Sequence, residues 1–334
     1  MAIVEPLRGL AALAVCWYHF TTAASVFPPG PVRRSGTYGW LGVECFFVIS
    51  AFVIPLSMYR GGFELRTGWR TFLAKRVTRL DPPYLVAVAA SVVLLYASAR
   101  APGFAGRPPA VSVRQLLAHL GYLNAFLGYG WLNPVFWTLA IEFQFYLLIA
   151  LVYAGIAARD AWARVAAVVG LGALGLAPTP EAYVVHFLTI FALGIATFQH
   201  HVGLIGARTY AALLLLLAAL SAVALGPAVA AAAVATALVI AFGRVRVPRV
   251  LQFFGTISYS LYLLHVPVGT RVVSLGGRVA HGAAAQVVVT LGALAVSVGA
   301  ASLMYRWVER PARLWSASFR YQLQQPSPLT KVPT

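Results

Sequence analysis

Four ionisable side chains fall inside apolar runs of this 334-residue chain: His19, Glu44, Glu142 and His265. An ionisable group in hydrocarbon is costly, so each is a functional candidate by default. An imidazole takes and returns protons, and a buried carboxylate can orient it and steady its charged form. Arg8 precedes His19 by eleven residues. Eleven helical steps of about 100° return to within roughly 20° of the start. Both side chains therefore share one helix face, three turns apart. A cation at the rim with a base deeper down suits a long ligand with an anionic end. The plainer reading makes Arg8 a membrane anchor and His19 a core histidine. Ser258, Tyr262 and His265 share a second face, and Thr138, Glu142, Phe145 and Tyr146 a third. The plainer readings there are hydrogen bonds between helices and a structural salt bridge from Glu142 to an arginine. Arg76 and Arg79, with Lys75 beside them, could cradle phosphates. Counted only as cations, they are inside anchors.

Positioning such groups requires helices that span a bilayer. The composition is 60% hydrophobic and 10% charged, against about 45–50% and about 25% for a soluble domain. This excludes a cytosolic enzyme, a disordered chain and a disulfide scaffold. Segments of roughly 17–25 apolar residues predict an all-α polytopic membrane protein with about ten transmembrane helices, near 9–27, 38–58, 83–99, 135–157, 162–178, 182–199, 204–225, 228–243, 251–270 and 283–306. The stretch 113–127 reads as re-entrant or interfacial. The first apolar run lacks the flanks of a cleaved signal and reads as a retained helix. One transmembrane domain is expected over 1–315, followed by a loose cytoplasmic tail over 316–334. In this frame the four ionisable groups all lie within roughly 12 Å of the outer ends of their spans, in one layer.

The net charge of +17 points first to topology. With the segment 59–82 read as a cytoplasmic loop, 18 Lys and Arg fall on the side of the termini and 7 on the other. That asymmetry places both termini in the cytoplasm of a multi-pass inner-membrane protein and accounts for the charge without nucleic acid. Cys16 and Cys45 show no metal or disulfide spacing. Gly170, Gly172 and Gly175 form G-x-G-x-x-G inside an apolar helix, with no preceding strand, which is helix packing and not a dinucleotide site. There is no HExxH, no P-loop and no histidine followed five residues later by aspartate, and His200-His201 lacks partners at metal spacing.

Six segments in order resemble the acyltransferase-3 family of membrane acyltransferases. RGLAALAVCWYH is similar to its R-x10-H signature and GWLGVECFFVISAF to its G-x-x-G-V-[DE]-x-F-F segment. FLAKRVTRLDPPY resembles its basic loop, FWTLAIEFQFYLL its W-[ST]-L-x-x-E segment, ISYSLYLLHVPV its S-Y-x-x-Y-L-x-H-x-P segment, and VERP its closing E-x-P. The resemblance runs from Arg8 to Pro311. Ala51 stands where the family usually has glycine, and Glu5-Pro6 replaces Asp-Gly.

The resemblance implies transfer of an acyl group, usually acetyl, from cytoplasmic acyl-CoA to a hydroxyl of a glycan or small glycoside. It implies a donor substrate and no tightly bound cofactor or metal. Carried over by position, His19 is the catalytic histidine, Arg8 its partner, and Arg76 and Arg79, with Lys75, the basic residues near the CoA phosphates. Glu44 and Glu142 are expected to steady the imidazolium, with Ser50, Ser258, Tyr262 and His265 in support. A neutral imidazole would take the acceptor proton; a covalent acyl-histidine is the other route. The competing class is a transporter or flippase using midplane carboxylates and histidines, which would move an acceptor without modifying it.

Overall fold

The computed structural model describes residues 3–23, 26–101, 108–244 and 247–321, and the elements in them are helical. The helices are α1 (Val4–Tyr18), α2 (Pro31–Ser35), α3 (Gly42–Arg60), α4 (Leu65–Ala99), α5 (Val113–Leu120), α6 (Phe136–Ile156) and α7 (Ala161–Leu174), then α8 (Leu188–His201), α9 (Ala207–Leu225), α10 (Pro227–Phe242), α11 (Arg249–Leu264), α12 (Thr270–Gly276), α13 (Ala283–Met304) and α14 (Arg310–Ser318). Six helical segments among the described residues are long and apolar enough to cross a membrane, and α7 and α10 are shorter apolar helices. Every expected span coincides with a helix, so the chain is an all-α polytopic membrane protein.

Two expectations change. The segment read as a cytoplasmic loop over 59–82 is helical from Leu65 and runs on without a break to Ala99. Arginine, lysine and leucine are good helix formers, and charge bars a helix from hydrocarbon without ending it. Pro82 and Pro83 lie inside this helix. Its 35 residues extend about 1.5 Å each, more than the roughly 30 Å of a hydrocarbon core, so one end stands clear of the span. The tail read as loose from residue 316 is docked as far as Tyr321. Ser316 Oγ donates to Lys75 O at 2.6 Å, and the Tyr321 ring packs edge-on against Phe63. Residues 322–334 lie outside the described residues, as do Arg107, Arg246 and Lys331.

Glycines set the closest helix crossings. A Cβ on Gly9 would lie 2.7 Å from Gly255 N, and one on Gly255 would lie 2.2 Å from Glu5 O. On the neighbouring side of α1, a Cβ on Gly42 would lie 2.5 Å from Ala11 O. Helix α1 is therefore held backbone-to-backbone between α11 and α3, the kind of contact small residues permit in membranes. Arg313 Nη2 lies 3.7 Å from Glu5 Oε1, which puts the start of α1 and helix α14 at the same end of the bundle.

Candidate functional site

Helices α1 and α11 each pass into a π-helical turn, and each turn begins at a histidine: His19–Ala23 after α1 and His265–Gly269 after α11. Such turns recur at functional sites because they shift side chains out of α-helical register. The second has a sequence cause. Pro267 has no N–H, so it cannot bond the carbonyl of Leu263 four residues back. Asn133 Nδ2 donates to that carbonyl at 2.9 Å, although it comes from the segment before α6.

The glycine-tight crossing brings the two histidines together. His19 Nδ1 lies 3.2 Å from His265 Nε2 and 2.9 Å from Val15 O. His265 Nδ1 faces only acceptors, Tyr262 O at 2.7 Å and Leu261 O at 3.2 Å, and therefore carries a hydrogen. With both rings neutral, His265 Nε2 is then a bare lone pair. His19 Nδ1 faces that lone pair and a carbonyl, so it too carries its hydrogen. The remaining nitrogen, His19 Nε2, is left unprotonated. The backbone carbonyl contacts thus fix a relay in which the basic nitrogen belongs to the half-buried ring of His19, while His265 is fully buried.

Two cavities flank this pair. The first, toward the Glu5 end of α1, is lined by Arg8, Arg76 and Arg79 together with Ser50, Glu142, Tyr146, Ser258, Tyr259 and Glu309. The second, of about 670 Å³, is an open crevice toward the other end of α1, lined by Tyr18, His19, Trp40, Trp137 and Thr270. Val43 and Tyr262 line both cavities and form the wall between them. The Tyr262 hydroxyl is 2.8 Å from Thr138 Oγ1, which fixes its height in that wall.

The expected site residues fall into distinct places. Arg8, Arg76 and Arg79 all line the first cavity. Arg76 is buried with its guanidinium 5.3 Å from the Phe72 ring centre and 5.7 Å from that of Tyr146. Lys75 does not join them: its Nζ donates to Phe319 O at 2.6 Å and lies 3.4 Å from Ser316 O. An ammonium there caps the carbonyls at the end of α14, so its work is to hold that helix.

The expected contact between a carboxylate and the His19 ring is not what the fold brings together. Glu142 Oε1 instead accepts hydrogen bonds from Tyr146 at 2.6 Å and Ser50 at 2.8 Å, inside the first cavity. Glu44 is buried beside Val43, with Oε2 unpartnered among the described residues, and lines neither cavity. Among the described residues the imidazole partner of His19 is His265. Ser258 donates to Gly255 O at 2.8 Å and lines the first cavity.

Tyr146, Tyr259 and Glu309 line the first cavity without having been expected as site residues. Tyr146 was legible on the face it shares with Glu142. Glu309 was legible as a carboxylate in VERP at the end of an apolar run. It is buried, and its Oε2 accepts from the Ser260 hydroxyl at 2.6 Å and Ser260 N at 3.1 Å. Tyr259 donates to Leu80 O at 2.9 Å and gave no signal beyond its segment.

The fold and site define an integral membrane protein with an arginine-lined cavity at one end of the bundle, a histidine-lined crevice at the other, and a wall of Val43 and Tyr262 between. The profile of a family described as Acyltransferase domain matches residues 2–306. The chain belongs to that family, acyltransferase-3. A protein of Acidianus two-tailed virus whose name describes an acetyltransferase is 30% identical over 155 residues, 45% of this chain and 40% of that relative. A Bacillus subtilis protein whose name describes a peptidoglycan O-acetyltransferase is 27% identical over 176 residues, 50% of this chain and 26% of that relative. The matched segments thus span well under half the length of these relatives. No solved structure matches significantly.

Proposed function

We propose that the chain is a membrane O-acyltransferase that moves an acyl group from acyl-CoA to a hydroxyl of a glycan or glycoside. The observation that carries this reading is the pair of cavities meeting at Tyr262, with the bare Nε2 of His19 assigned to the crevice side. Arg8, Arg76 and Arg79 supply cations for the phosphates of the donor, and the thin pantetheine arm would carry the thioester toward Tyr262. The acceptor enters the crevice. Its hydroxyl oxygen attacks the thioester carbonyl while His19 Nε2 takes the proton. The C–S bond then breaks, and the proton passes on to the departing thiolate, which returns the imidazole to its neutral form. The imidazolium formed in between keeps its Nδ1 hydrogen on Val15 O and His265. General-base help of this kind contributes about 10²–10⁴-fold, and holding both substrates in line contributes much of the rest. Glu142 organises the donor cavity through Tyr146 and Ser50. Acetyl, as in the names of the two relatives, is the acyl group to test first, with the donor entering from the cytoplasmic face of an inner membrane.

The test is transfer of radiolabelled acetyl from acetyl-CoA by purified protein in lipid nanodiscs. His19→Ala is expected to bind acetyl-CoA with near wild-type affinity and to transfer nothing. Arg8→Ala is expected to weaken acetyl-CoA binding while transfer persists at saturating donor. Near wild-type transfer by His19→Ala overturns the mechanism. A transporter would instead move the acceptor unmodified and show no dependence on acyl-CoA.

A further inference from the structure

Beside the His19 crevice lies a third concavity of about 260 Å³, lined by Phe126, Trp131, Trp137 and Glu181, with Ala125, Ala140 and Ala182 making its floor. Trp137 lines this groove and the crevice alike, so the two adjoin across one indole. The groove is held from several directions. The Trp137 indole stacks on Phe187, with ring centres 5.8 Å apart and planes at 29°. The segment that carries Trp131 is tied down by Leu132 N, 3.4 Å from His119 Nε2, and by the bond from Asn133 to Leu263 O. The segment that carries Glu181 is clamped to α6 by both ends of the Gln144 amide: Nε2 donates to Ala182 O, and Oε1 accepts from Val184 N, each at 2.9 Å. An amide inside a spanning helix thus fixes the backbone beside Glu181, whose carboxylate lines the same groove as two indoles.

Aromatic faces and a carboxylate together match one ligand chemistry. A sugar ring has an apolar C–H face that lies against an indole and a rim of hydroxyls that a carboxylate accepts. An anionic lipid headgroup fits the aromatics but is repelled by Glu181. Interfacial tryptophans that merely anchor a protein at headgroup level need neither a concavity nor a carboxylate. We propose that this groove is a second sugar subsite, so that the acceptor is an oligosaccharide or polysaccharide whose neighbouring residue lies between Trp131, Trp137 and Glu181 while its acylated residue lies at His19. This rests on the acyl-transfer reading of the crevice and adds that the acceptor is a chain.

The test uses a ladder of one to four β-1,4-linked glucose or N-acetylglucosamine residues in two assays. The first is acetyl transfer by the wild-type protein and by Glu181→Gln and Trp131→Ala. The second is quenching of tryptophan fluorescence on inactive His19→Ala protein, which reads binding without turnover. The wild-type KM is expected to fall from one residue to two or more. Glu181→Gln, a rim substitution with no packing role, is expected to raise KM for the longer acceptors about tenfold, the scale of a lost hydrogen bond to a charged group, and to leave KM for acetyl-CoA and for the single sugar unchanged. Trp131→Ala is expected to act in the same direction. Transfer that is indifferent to acceptor length, or longer acceptors with unaltered KM in Glu181→Gln, overturns the subsite and leaves the acyltransferase reading standing. Length-dependent quenching without any acetyl transfer supports the subsite and overturns the enzymatic reading. Neither binding nor transfer overturns both.

Discussion

At the scale of single residues, His265 is the informative position. Sequence placed it at the depth of His19 but gave no way to see that the two rings touch, because contact depends on how each helix is rotated about its axis. The same ambiguity hid the partners of Glu142. Its helix face could be read from the spacing of Thr138 and Tyr146, whereas the Ser50 hydroxyl comes from another helix, 92 positions away. Lys75 shows the opposite failure, since adjacency to Arg76 in sequence means divergence of about 100° on a helix. The relay gives a direct expectation for His265→Gln. A glutamine offers an acceptor to His19 Nδ1 without a fixed tautomer, so the bare Nε2 is no longer assured. Transfer should fall by about tenfold or more with acetyl-CoA affinity unchanged. The pH dependence of kcat should also move, which a purely structural loss would not produce. Steady-state kinetics across pH checks this, and an unchanged kcat profile would show that His265 does not govern the ring.

At the scale of elements, apolar length made the helices legible almost throughout, and charge density concealed one of them. The segment 59–82 was read as loop because it is basic, yet α4 runs through it unbroken from Leu65. Ala51 packs at a close crossing of α3 and α8. A Cβ on Gly194 of α8 would lie 2.5 Å from Ala51 Cβ, so the glycine that keeps these helices close is on α8. The α1–α11 crossing has no such spare room. Gly255→Ala drives a methyl group into the Glu5 carbonyl and should cost about 1–3 kcal/mol, parting the two histidines as the helices separate. Thermal unfolding in detergent should show a lower Tm together with lost transfer. Gly292→Ala, where a Cβ meets nothing within 4 Å, should match the wild type in both.

At the scale of the whole molecule, the outward-facing residues explain the composition: Leu215, Val223, Val288 and Leu151 are among the most exposed side chains, as a lipid-facing surface requires. Both ends of the described chain meet at one end of the bundle, where Lys75 and Arg313 fasten α14 to α4 and α1, and Glu309 just before it bonds Ser260 of α11. The partition made by Val43 and Tyr262 bears on the cell as a whole. The two recesses lie toward opposite ends of α1, and the lining they have in common is Val43 with the Tyr262 ring, held by Thr138. Tyr262→Gly should therefore make proteoliposomes lose an imposed proton gradient faster than wild-type ones, as an enclosed pH-sensitive dye would report; an equally tight vesicle would place the seal elsewhere. A protein built this way has a duty besides chemistry: two recesses that nearly meet inside an insulator must not short-circuit the battery that the insulator maintains.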